Sequence, residues 1–213
     1  MSVIALVNQK GGCGKSTTAV HLAYWLVVKQ KQKALLIDAD AQQSSSQWLA
    51  GMEVSIPYEV VQTPDDLLEQ IPEFVQQYDN LIVDGPASLA EATRAILFRA
   101  DLALVPVQPT GVDLRSAAEA VRLIKQAQSV RGGPPAALVF LSRAVKGTKL
   151  KAEARALLGK IPEVTVLDRT IHQRQVCADT SGQSATVWDL PSRPARESAR
   201  EFEGLFEKIL AKL

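Results

Sequence analysis

At 213 residues the chain is long enough to bury one substantial core and short for two domains. Hydrophobic residues at 46% and charged residues at 22% are ordinary for a globular protein, and no apolar run approaches the ~18 residues of a membrane-spanning helix. Net charge is +1, yet residues 1–100 carry 7 Lys/Arg against 11 Asp/Glu and residues 101–213 carry 17 against 12, so a polyanion would meet the second half.

In chain order, apolar runs over residues 3–8, 34–38, 81–84, 102–107, 136–141 and 164–167 predict strands. They are rich in Val, Ile and Leu without polar alternation, the pattern of strands buried on both faces of a parallel sheet. Helical patterns over residues 15–28, 67–77, 88–98 and 113–127 lie between them, and Pro72 is expected to break or kink the second. The first run is too short, and lacks the basic leader, for a signal peptide. A last apolar stripe, Phe202, Leu205, Phe206, Ile209, Leu210 and Leu213, predicts a final core helix. The alternating order predicts a doubly wound α/β domain, a mostly parallel sheet with helices on both faces, over residues 1–213 as one unit. Two cysteines, Cys13 and Cys177, exclude a disulfide framework and lack zinc-site spacing, which points to a reducing cytoplasm.

Between the first strand and the first helix stands Lys10-Gly11-Gly12-Cys13-Gly14-Lys15-Ser16-Thr17. Gln9 occupies the place where a general P-loop has its first glycine. Gly11, Gly12 and Gly14 still let successive backbone N–H groups face one point, and the helix beginning near Lys15 adds its positive dipole end. Lys15 is placed to reach the β- and γ-phosphates of a nucleotide, and the Ser16 hydroxyl to ligate Mg²⁺. A glycine-rich turn entering a helix is the plain alternative.

This box resembles the deviant Walker A motif of the ParA/MinD superfamily, which implies a P-loop ATPase that takes ATP and Mg²⁺. Lys10 matches the signature lysine, which the resemblance assigns to the phosphates bound by the opposite subunit of a nucleotide-sandwich homodimer. Leu35-Leu36-Ile37-Asp38-Ala39-Asp40-Ala41-Gln42 resembles the family's Asp-x-Asp-Pro-Gln segment, implying that Asp38 orients the attacking water and Asp40 belongs to the Mg²⁺ shell. Leu81-Ile82-Val83-Asp84 resembles the Walker B strand, which makes Asp84 a metal-site carboxylate. The segment ending in Gln108-Pro109 resembles the strand-end loop near the switch regions. Ala41 and Ala87 depart from the family's prolines, so looser switch loops are expected. Cys13 fills the variable position and reads as a small loop residue, with thiolate character at a helix N-terminus as the alternative.

Within the superfamily, the iron–sulfur branch fails because neither Cys13, in the phosphate loop, nor Cys177, far down the chain, falls just after the Walker B strand where the cluster ligands belong. A MinD-like membrane helix would need a basic polar face, whereas Glu201, Glu203 and Glu207 oppose only Lys208 and Lys212. A metabolic P-loop enzyme leaves Lys10 unexplained. The short ParA-like partition branch fits best, with McdA-like carboxysome-positioning relatives within it. It implies a cytoplasmic, nucleoid-associated ATPase that binds nonspecific DNA and a ParB-like or McdB-like adaptor, with no membrane. Arg143, Lys146, Lys149 and Lys151, together with Arg193, Arg196 and Arg200 on one helix face, are the candidate DNA surface. A solvated charged face is the alternative for each.

Overall fold

The computed structural model describes residues 1–87, 91–162 and 164–213. Seven strands, β1 (Ser2–Leu6), β2 (Ala34–Asp38), β3 (Tyr58–Val60), β4 (Asn80–Asp84), β5 (Leu102–Val107), β6 (Ala136–Ala144) and β7 (Val164–His172), form one sheet in the order β3-β2-β4-β1-β5-β6-β7. Every adjacent pair is parallel. The helices are α1 (Lys15–Tyr24), continued by a π-helical turn Trp25–Lys29, then α2 (Ser44–Ala50), α3 (Pro64–Val75), α4 (Glu91–Arg99), α5 (Gly111–Arg131), α6 (Lys149–Leu158), α7 (Gln175–Gly182) and α8 (Arg193–Leu210).

Strand alternation divides the core into two layers. Val3, Ala5, Leu35, Ile37, Leu81, Val83, Ala103 and Val105 face α3, α4, α5 and α6. Ile4, Leu6, Leu36, Ile82, Leu104 and Phe140 face α1, α2 and α8. The stripe on α8 goes into this second layer: Phe202, Leu205, Phe206 and Ile209 are buried there beside Trp25 and Trp188. Truncating such a phenylalanine to alanine costs about 3–5 kcal/mol.

Several expectations shift. Pro72 lies inside α3 without ending it. Leu67 and Ile71 are fully buried on the sheet, and that burial outweighs the hydrogen bond the proline cannot make. Strands β6 and β7 run on to Ala144 and His172, beyond their predicted ends. The first three residues of the helix expected over 88–98 lie outside the described residues, and from Glu91 the helix is present as α4. The short elements α2 and β3 carried no apolar pattern to announce them.

Candidate nucleotide site

β1 occupies the centre of the sheet, with β4 and β2 on one side and β5, β6 and β7 on the other. In a doubly wound sheet the crevice at the carboxyl ends of such strands is where ligands bind. The chain leaves β1 there and turns through Gly12 (φ 75) and Gly14 (φ 101) before entering α1. Gly14 is the N-cap, so among the described residues no side chain satisfies the first N–H groups of α1, and its first turn holds no acidic residue. A Cβ on Gly14 would stand 2.7 Å from Ser142 Oγ, so a side chain is excluded there by space as well as by φ. The result is a set of free donors at a positive helix end, facing a cavity of about 580 Å³ lined by Gly11, Gly12, Gly14 and Lys15 through Thr18. Lys15 is 6% exposed and its ammonium reaches back over the loop to Lys10 O at 3.4 Å.

On the β2 and β4 side, the three aspartates predicted for the site lie at or just after neighbouring strand ends but differ in state. Asp38 is fully buried and fully engaged: Oδ1 accepts from Asp40 N at 3.1 Å and Oδ2 from Ser46 N at 2.8 Å, fastening α2. Asp40 stands at the cavity rim and accepts from Gln42 N at 3.0 Å and from Ala87 N at 3.2 Å. That second bond ties the loop after β2 to the loop after β4, and a proline at 87 could not donate it. The departure from the family pattern at Ala87 therefore adds a link, where a looser loop was expected.

Asp84 is the opposite of Asp38. Both its oxygens are buried without a hydrogen-bond partner. Burial raises its pKa to about 7, opposed by the neighbouring Ser16 hydroxyl and reinforced by the charge of Asp38. An orphaned carboxylate beside a P-loop serine fits a divalent cation. No three carboxylate, histidine or cysteine side chains converge among the described residues, so a cation would rest on Ser16, Asp84, water and phosphate oxygens, the usual habit of Mg²⁺.

Lys10 turns away from the cradle. Its ammonium donates to Asp113 Oδ2 at 2.7 Å, with the lysine side chain 36% exposed and the aspartate 0%. Thr110 Oγ1 caps α5 and also contacts that carboxylate, while Asp113 Oδ1 is buried without a partner. Asp113 was not foreseen as a site residue, because its sequence signal is only that of an acid in the first turn of a helix. Cys13 goes against the thiolate alternative: it is fully buried, and burial raises its pKa although Lys15 works to lower it.

The far end of the cavity is formed by Ser142, Arg143, His172 to Gln175, Cys177 and Ala178, with Trp48 and Phe202 nearby. None of these was foreseen as a nucleotide residue. Behind the loop, His21 stacks on Phe202 with ring centroids 4.5 Å apart. Nδ1 donates to Thr17 O at 2.7 Å and Nε2 accepts from Val187 N at 3.3 Å; burial lowers its pKa to about 4.

The predicted DNA surface is redistributed. Arg143, exposed at the end of β6, donates its guanidinium to Gly12 O at 2.6 Å and so also meets the phosphate loop. Two further arginines along this stretch of sequence are engaged internally: Arg155 with Leu167 O, Arg174 with Glu201 at 2.6 and 2.7 Å. Lys146 pairs with Glu197 at 3.4 Å and Arg193 with the same carboxylate at 3.2 Å, which brings the two predicted stretches together. Arg196 and Arg200 are exposed along α8, Lys149 is exposed on α6, and Lys151 is half-buried.

A strand, a glycine turn with free helix-end donors, a lysine over them and an unpaired strand-end carboxylate together define a P-loop nucleotide-binding domain. The AAA domain family AAA_31 matches residues 1–63. The maintenance of carboxysome distribution protein A of Gloeobacter kilaueensis is 39% identical over 121 residues, 56% of this chain and 55% of that protein. The protein of that name from Halothiobacillus neapolitanus is 26% identical over 97% of this chain and 95% of its own length. Among solved structures, a Cyanothece McdA–ATP complex shares the fold at a TM-score of 0.79 and 18% identity, covering 98% of this chain and 96% of that one. The septum site-determining protein MinD with Mg-ADP from Pyrococcus horikoshii matches at 0.76 and 20% identity, over 98% and 95%. By these comparisons the chain is similar to P-loop ATPases of the ParA/MinD kind. No helix among the described residues is long and apolar enough to cross a membrane.

Proposed function

We propose that the whole chain, as one domain, is a ParA-type positioning ATPase that uses ATP as a dimerisation switch in the cytoplasm. The α1 N–H groups and Lys15 hold and orient the phosphate tail, while Ser16 and Asp84 hold Mg²⁺, which when bound neutralises phosphate oxygens. Lys10 leaves Asp113 and reaches the phosphates of a second copy. The closed dimer gathers Lys146, Lys149, Lys151, Arg193, Arg196 and Arg200 into a surface for nonspecific DNA of the nucleoid. An adaptor of the ParB or McdB kind, bound to a cargo, then stimulates hydrolysis and releases the dimer; carboxysomes, chromosomes and plasmids are the cargoes of this branch. Asp38 orients the attacking water once segment 40–46 shifts to expose it, since it is fully buried beneath backbone donors although each oxygen keeps a second acceptor site. Slow turnover without the adaptor follows.

The observation that carries this reading is the pair of lysines on one loop, one over its own cradle and one held outside it. Its test is size-exclusion chromatography and gel shifts on unrelated duplexes. A dimer and a DNA shift with ATP, absent with ADP and fading with salt, are expected. Asp38→Ala should retain the ATP dimer. Indifference to DNA in every nucleotide state would refute the positioning function.

A further inference from the structure

The peptide joining Gly12 to Cys13 is held by two side chains that the reaction above leaves without a role. Arg143 NH1 donates to the Gly12 carbonyl oxygen at 2.6 Å, and Gln108 Nε2 donates to the same oxygen at 3.0 Å. They come from different strand ends: Gln108 follows β5, and Arg143 lies near the end of β6. Arg143 holds a left-handed backbone conformation, φ 51, which is strained for a residue with a Cβ. The neighbouring Ser142 abuts Gly14, so the tip of β6 touches the loop at two points.

A peptide's C=O and N–H point in opposite directions across one plane. Fixing Gly12 O on Arg143 and Gln108 therefore fixes the direction of Cys13 N–H, opposite to them across the peptide plane. Gly12 lacks a Cβ and sits at φ 75, so its own backbone preference would not prevent this peptide from flipping. We propose that Arg143 and Gln108 are positioning residues that hold Cys13 N–H as a phosphate donor. The proposal rests on the loop's being a phosphate cradle, and it moves Arg143 from the DNA surface to the nucleotide site.

The test is Mg-ADP binding by calorimetry for the parent chain, Arg143→Ala, Arg143→Lys, Gln108→Ala and the double alanine variant, with AMP affinity measured by competition. Arg143→Ala should weaken ADP about tenfold, the loss expected for a charge-assisted hydrogen bond. Arg143→Lys should recover most of that loss. The double variant should lose more than either single, because both donors hold the one carbonyl. AMP, lacking the β-phosphate, should bind all of them within about twofold of the parent. With ATP saturating, the salt dependence of DNA binding should be unchanged in Arg143→Ala, whereas loss of a phosphate contact would lower its slope by about one. ADP affinity within about twofold of the parent in a folded Arg143→Ala protein would overturn the proposal, as would AMP weakening as much as ADP. Failure of the parent chain itself to bind ADP would overturn the cradle on which it rests.

Discussion

Releasing Lys10 from Asp113 should tighten the ATP-bound dimer. Asp113→Asn keeps the shape of the side chain and an acceptor for Thr110 while removing the charge that holds the ammonium 2.7 Å away. At that distance the gross attraction is about 6 kcal/mol for an effective dielectric of ~20. Most of it is offset, because the lysine side chain is 36% exposed and water takes over the ammonium when it leaves. A net hold of about 1 kcal/mol per lysine is consistent with partly exposed pairs. A symmetric sandwich frees two such lysines, so the variant dimer gains about 2 kcal/mol, or ~30-fold in its dissociation constant. Sedimentation velocity with a non-hydrolysable ATP analogue reads this directly. An unchanged or weaker dimer, in a variant that folds and binds the analogue normally, would refute the idea that Asp113 competes for Lys10.

Two further predictions concern buried titrating groups. Asp84, raised to about 7 in the fold against an ordinary 3.8, keeps a proton that the unfolded chain gives up, so its stabilising contribution is lost as pH rises from about 4 through 7. Asp84→Asn should therefore raise the melting temperature of the nucleotide-free protein at pH 8 by roughly 5 °C and leave it little changed at pH 4, while abolishing the Mg²⁺-dependent gain in ATP affinity; a lower Tm at pH 8 would count against the unpaired carboxylate. His21 has the opposite sign: lowered from 6.5 to about 4, it is neutral in the fold, and its contribution is lost as pH falls through that interval, by at most about 3 kcal/mol. His21→Gln should flatten denaturant-derived stability between pH 6.5 and 4 relative to the parent, and an identical slope in both would contradict the neutral imidazole.

The phosphate loop was legible because its chemistry is local: three glycines, two lysines and a serine lie within eight residues, between an apolar strand and a helix. The aspartates at 38, 40 and 84 were legible for a related reason, since each ends or follows an apolar run whose register delivers it to one edge of the sheet. Their differing states were not. Only the folded chain shows that both Asp38 oxygens accept backbone N–H groups, from Asp40 and from Ser46 of α2, while Asp84 meets no backbone donor and has only the Ser16 and Ser45 hydroxyls beside it. The same limit explains Arg143, which in sequence is one charge in a basic run and in space meets Gly12, 131 residues away. Asp113 looked like an ordinary helix-start acid until Lys10, 103 residues away, was found on it. Pro72 misled in the other direction, because the local rule for proline ignores how much apolar surface the rest of α3 buries. Charge counting also could not say which Lys and Arg of a run are engaged with carboxylates and carbonyls.

The central claim is that the tail of ATP lies against the N–H groups of residues 11–17, between Lys15 and the carboxylate of Asp84. A crystal structure with Mg²⁺ and a non-hydrolysable ATP analogue tests it most directly. The expected result is the β- and γ-phosphates in that loop, Asp84 on the metal side and Lys10 off Asp113 and turned toward a second copy. A phosphate tail bound elsewhere, or a loop left empty at saturating analogue, would contradict it.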